Sequence, residues 1–234
     1  TNQYPVGGYI AIGNKGASYE VTTSNFVLTT PVPHLPRDAS LYNHIPFVIR
    51  NINDDLTAEE RIKYRMRVPF THTDGLVYVA YYLRKLNLEG VAPTVESRNV
   101  TNGNITTDVF VPTLSDLSPN HPNLSNINLN NPNGDYLISS GKVELVLTTE
   151  DITNIRDACT ILYGDPRYAV INEVAYCSGI DRVLAGTFGN VSSNYVESIA
   201  TQVNAFIYQY HPLTETTTDV TIRFDVGSSE SLLV

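Results

Sequence analysis

Residues 134–176 read GDYLISSGKVELVLTTEDITNIRDACTILYGDPRYAVINEVAY, and how this stretch folds sets the class of the whole chain. Val143, Leu145 and Leu147 alternate with Lys142, Glu144 and Val146, the period of two that marks a strand. Thr148 or Thr149 then offers a side-chain oxygen to cap a helix. Glu150 and Asp151 follow, where carboxylates favour the positive end of the helix dipole. Ile152, Ile155, Ala158, Cys159 and Leu162 recur at helical spacing, Gly164 ends the helix near 150–163, and Pro166 prevents its resumption. RYAVINEVAYCSG returns as a strand, and SGIDRVLAG continues into another. Nucleotide-binding domains share this β–α–β order, but their strand–helix junction needs glycines that let backbone amides reach phosphate. Here the junction is VLTTEDIT, with no glycine and two carboxylates where the anion would sit. The stretch is a packing unit.

Upstream, RIKYRMRVPF alternates Ile62, Tyr64, Met66 and Val68 with Lys63, Arg65 and Arg67, a half-buried strand. THTDG supplies a turn through Asp74 and Gly75, and LVYVAYYLRKLNL follows as a buried strand rich in β-branched and aromatic residues, completing a hairpin. Before it, NDDLTAEERI reads as a short helix capped by Asp54 or Asp55, with Glu59 and Glu60 in its early turns. Residues 1–45, rich in Gly, Pro and Thr and stiffened by PVPHLP, read as an extended N-terminal arm with edge-strand pieces such as YIAI and NFVLTT. Residues 46–234 form the β-rich domain, interrupted at about 98–135 by an Asn-, Pro- and Ser-rich insertion whose one strand candidate is TTDVFVP. A loop of that length is uncommon in a compact domain unless it has a function or packs on something else. YVESIATQVNAFIYQYHPL fits both a helical stripe and a strand; Ser193 or Asn194 with Glu197 favours a second helix near 194–210. TTTDVTIRFDVG closes the chain as a strand with one exposed face. The expected fold is α+β: one β-dominated domain built on an antiparallel sheet or sandwich with one or two helices.

Composition narrows the function classes. A net charge of −9 over 234 residues argues against a nucleic-acid binder, which usually presents a basic face. No stretch reaches the ~18 apolar residues of a membrane span, and TNQYPVGGYIAIGNKG has neither the basic start nor the apolar core of an export signal. Cys159 and Cys177 are too few for a disulfide framework and read as reduced, buried, small apolar residues. The five histidines are scattered and make no metal-binding spacing, so neither metal nor cofactor is expected. GYIAIGNKG has the look of a phosphate loop, but Asn14 stands where glycine should precede Lys15 and no Ser or Thr follows the lysine. His72 and Asp74 could pair as base and orienter, but they sit in a turn without a nearby nucleophile, so no catalytic residue is assigned.

Fifteen tyrosines against no tryptophan suit strand surfaces and interfaces, where an apolar ring and a wet hydroxyl are both used. Tyr78, Tyr81, Tyr82, Tyr208 and Tyr210 are the interface candidates. The Gly/Pro-rich start, the IKYRMRVPF…LVYVAYYLRKL hairpin, the Asn-rich insertion, the 136–171 stretch and the closing IRFDVGSSESLLV together resemble virion structural proteins of tailed bacteriophages. That resemblance implies a non-enzymatic subunit of the head, neck or tail apparatus, made in the host cytoplasm and acting through protein–protein packing. Its partners would be other virion proteins and copies of itself, with no nucleic acid, membrane or cofactor. The alternatives are a surface adhesin or carbohydrate-binding module, and a hydrolase built on His72 and Asp74.

Overall fold

The computed structural model describes residues 4–111, 134–188 and 191–231. The chain is α+β and dominated by antiparallel strands. It divides into two compact units, residues 1–87 with 145–221, and residues 88–144 with 222–234.

The first unit is built on a seven-stranded sheet. Along it run β1 (Val6–Gly13), β4 (His44–Ile45), β5 (Val48–Asn51), β6 (Tyr64–Thr71), β7 (Val77–Lys85), β11 (Val170–Phe188) and β12 (Val191–Pro212). Beside it β2 (Ala17–Val21) and β3 (Phe26–Pro31) form a separate hairpin. The order β12-β11-β1-β7-β5 puts β1 at the centre. The first part of the expected arm is therefore the middle of the core. Tyr9, Ile10, Ala11 and Ile12 are all buried, and a strand covered on both faces reads as a continuous apolar run without alternation. β6 and β7 form the expected hairpin, with Gly75 at φ +82° in its turn, where a Cβ would be strained. β7 changes neighbour midway, pairing with β5 through residues 78–81 and with β1 through Arg84 and Lys85. Leu83, at the change, takes a left-handed φ of 59°.

The helix α2 (Thr149–Tyr163) follows its sequence signals closely. Thr148 accepts from the Asp151 amide while Asp151 accepts from Thr148, a reciprocal capping box, and Gly164 ends the helix at φ 73°. Its inner side packs Ala158, Ile161 and Leu162 over Ile49 and Ala80. Cys159 and Cys177 are free and buried, and burial pushes both thiols up to about 12. Asp151 is fastened to Arg84 at 2.5 Å. Burial works against its ionisation, but Arg84 and the Thr148 hydrogen bonds outweigh burial and hold the carboxyl below its ordinary value. A depressed pKa contributes stability that is present above the unfolded value of ~3.9 and lost as pH falls through the folded one. Asp151→Asn is therefore expected to lower the urea midpoint at pH 7, and the gap from wild type should close as pH drops below ~4. A gap that persists there would contradict this assignment.

The segment 194–210, read as a helix, is a strand instead. β11 and β12 pair along almost their whole lengths, with register shifts between Ile171 and Glu173, Tyr176 and Cys177, and Ser178 and Ile180. At each shift β12 carries one more residue than β11, as where Tyr176 faces Ala205 but Cys177 faces Val203. These bulges break the alternation that would have marked a strand and leave a spacing that mimics a helix.

The four-stranded sheet, in the order β13-β10-β8-β9, lies mainly in the second unit. Its strands are β8 (Thr94–Thr101), β9 (Asn104–Val109), β10 (Gly134–Leu147) and β13 (Val220–Ser231). Part of the expected insertion is therefore regular: β8 and β9 form a hairpin turned by Asn102 (φ 50°) and Gly103 (φ 80°). The rest of that reading, over 112–133, lies outside the described residues. β13 keeps the expected alternation, with Val220 and Ile222 buried and Thr221, Arg223 and Asp225 exposed.

Candidate functional site

Two buried carboxylates organise the polar part of the first unit. Glu173, on β11, is 1% exposed. The backbone N–H groups of Lys15, Tyr42 and Asn43 donate to it at 3.1, 3.0 and 3.0 Å, and His34 Nε2 lies 2.8 Å from Oε2. Next to it the Asn172 side chain accepts from the Gly16 amide at 2.7 Å and donates to the Asn14 carbonyl at 3.2 Å. A Cβ at Gly13 would fall 2.5 Å from the Asn43 carbonyl oxygen, and one at Gly16 would fall 2.5 Å from that of Asn172. Gly13 therefore does permit close approach of an anion, the chain's own Glu173 carboxylate, while Gly16 admits the Asn172 backbone.

His34 is held flat between the rings of Tyr42 and Phe206, with centroids 4.2 and 3.9 Å away. Its Nδ1 faces Asp38 at 3.5 Å. The arrangement straps the 31–43 segment onto the sheet. His34 thus joins the 31–43 segment to Glu173 of β11 and to Phe206 of β12. Among the described residues no group of three or more His, Cys, Asp or Glu side chains converges on a metal position.

The second carboxylate is Asp55, whose side chain is 0% exposed. It accepts from the Tyr81 hydroxyl at 2.5 Å, from Arg61 Nη2 at 2.8 Å, and from Arg67 Nη2 and Nε at 2.8 and 3.2 Å. Asp55 was a cap candidate, as was Asp54, but the cap of α1 (Ala58–Arg61) is Thr57, in a reciprocal box with Glu60. The alternation in β6 also differs from the reading. Arg65 is buried against Asp181 at 3.0 Å, while Met66 is 46% exposed. The arginine is buried because Asp181, itself one-third exposed, and the Ile62 and Tyr64 carbonyls receive its N–H groups. Asp181 also accepts from the Tyr9 hydroxyl at 2.6 Å, and burial together with that carboxylate pushes the tyrosine up to about 12.

The tyrosine candidates separate by position. Tyr81 is 2% exposed and its hydroxyl is taken by Asp55, so it belongs to the core. Tyr82 is half-buried against both apolar clusters of the sheet. Tyr78 is half-buried too, stacked on Phe70 and bonded to Asp74 at 3.2 Å. Tyr208 and Tyr210, on β12, are 50% and 54% exposed. His72 and Asp74 lie 3.2 Å apart in the β6–β7 turn, where Asp74 accepts from the Leu76 amide.

β12 itself is the feature that sequence reasoning missed. It ends the seven-stranded sheet and, among the described residues, pairs with β11 alone. Near residues 194–197 it lies against β6 and α1 across a small cleft; from 201 to 210 its surface is mostly exposed. Its 22 residues include Glu197 as their only Asp, Glu, Lys or Arg. Edge strands usually carry charge or stay short, because unpaired backbone donors and acceptors otherwise template pairing with another chain. β12 is long and nearly uncharged, with three bulges along it.

No curated protein and no solved structure matches the chain. A family model does, over residues 1–234, and the chain belongs to that family, DUF7208, a family of unknown function.

Proposed function

We propose that this protein is a non-enzymatic structural subunit of a tailed-bacteriophage particle, acting by packing against copies of itself and other virion proteins. The observation that carries the reading is the outer edge of β12, a 22-residue strand with a single charged side chain and two half-exposed tyrosines, Tyr208 and Tyr210. Such an edge suits strand addition, in which backbone hydrogen bonds supply affinity and alternate side chains supply specificity. The polar interior supports the reading too. Glu173 and Asp55 are each closed off by their own partners, which makes a rigid platform.

Peptides of this chain are expected in purified virions by mass spectrometry, and their absence from particles would remove the reading. Gln202→Lys with Asn204→Lys, placing two like charges on the exposed part of β12, is expected to weaken association by about tenfold or more. Circular dichroism should stay unchanged, because both positions are exposed. Unaltered assembly of the double variant would move the interface elsewhere.

A further inference from the structure

We propose that the concavity between Phe26 and Tyr210 is a binding site for a neutral saccharide. It encloses about 450 Å³, within the range of small-ligand pockets. Phe26 of β3, Arg156 of α2, Arg167, Tyr210, Thr214 and Glu215 are among its lining residues, beside an apolar part that includes Leu213. The Phe26 ring is fixed by Tyr19, stacked at 5.2 Å, and by Tyr168, edge-on at 5.5 Å. Tyr210 is 54% exposed, so a large part of it is open to a ligand.

Charge bookkeeping selects the ligand class. Arg156 is paired with Glu215 at 3.1 Å and Arg167 with Asp165 at 2.6 Å, so each guanidinium is neutralised by its own carboxylate. A phosphate or sulfate would compete with the carboxylates for these guanidiniums, and an ammonium group would compete with the guanidiniums for the carboxylates. A wholly apolar ligand would strip water from two ion pairs and return no hydrogen bonds. Both ion pairs still present donors and acceptors, because a guanidinium has five N–H groups and a carboxylate several lone pairs. Beside them the hydroxyl of Thr214 lies 3.0 Å from those of Thr216 and Thr217, adding groups that both donate and accept. A pyranose has a C–H face for an aromatic ring and a rim of hydroxyls that each donate and accept, which is the complement of this lining. The other cavities fit less well. The cleft beside β6 holds about 150 Å³, and its arginines are committed to Asp55 and Asp181; the cavity at His34 adjoins the closed Glu173 node.

The test is an array of neutral and anionic glycans probed with the full chain, followed by calorimetry with the brightest neutral glycan. A neutral glycan should bind, and Tyr210→Ala and Arg156→Ala should each weaken it by about tenfold with the circular dichroism spectrum unchanged. Three results would overturn the proposal: no neutral glycan above background, signal confined to sulfated or sialylated glycans, or binding undiminished in both variants. Because the readout is sugar binding by the isolated chain, its failure is distinguishable from absence of the chain in virions.

Discussion

Glu173→Ala is expected to lower the stability of the first unit by about 3–5 kcal/mol, the range for removing one partner of a buried charged network. The substitution leaves the amides of Lys15, Tyr42 and Asn43 without an acceptor and His34 without its Nε2 partner. A backbone donor orphaned where water does not reach costs its own desolvation, about 1–3 kcal/mol. For a chain of this size that loss corresponds to a fall in Tm of roughly 6–20 °C. Glu173→Gln keeps the shape but replaces one acceptor oxygen with a donor, so an intermediate loss of about 1–3 kcal/mol is expected. Urea denaturation with the His34→Ala single and Glu173→Ala/His34→Ala double variants would isolate the pairwise term. A loss below about 1 kcal/mol for Glu173→Ala would mean that water takes over the three amides, and the node would not be a fastening.

Asp55→Ala is the second large effect, again about 3–5 kcal/mol. It removes the carboxylate that receives Arg61 Nη2, Arg67 and the Tyr81 hydroxyl. The control is its neighbour. Asp54 is exposed in the turn before α1, and Asp54→Ala should change stability by no more than about 0.5 kcal/mol. The contrast matters because the two aspartates are indistinguishable in NDDLTAEERI, both adjacent to a helix start and both plausible caps. Equal effects of the two substitutions, measured by the same urea titration, would show that the ion pairs around Asp55 carry little.

These two sites mark where sequence reasoning stopped. The partners of Glu173 lie 158, 131 and 130 residues away along the chain, and His34 lies 139 away. No local pattern encodes a carboxylate received by amides that distant. The available signal was a phosphate-loop-like glycine run with its lysine context broken, and of its glycines Gly13 turned out to admit an internal anion. For Asp55 the signal was Arg67, on the polar side of the β6 alternation, together with Arg61 six residues after the aspartate; both reach its carboxylate. The tyrosines divided for the same reason. Tyr81 and Tyr208 have similar neighbours in sequence, but one strand has partners on both sides and the other ends the sheet.

What the sequence alone determined was carried within short spans of the chain. That comprises the helix between Thr148 and Gly164, the β6–β7 hairpin and its Asp74–Gly75 turn, the last strand, and the β-dominated α+β class. Caps, turn residues and hydrophobic periods act through neighbouring backbone groups, so they are written locally. Tertiary structure alone decided that β1 is central, that 194–210 is a bulged strand, and which charged groups are buried. Those outcomes depend on what packs across the sheet from far along the chain, and burial of a strand or a carboxylate is a property of its partners.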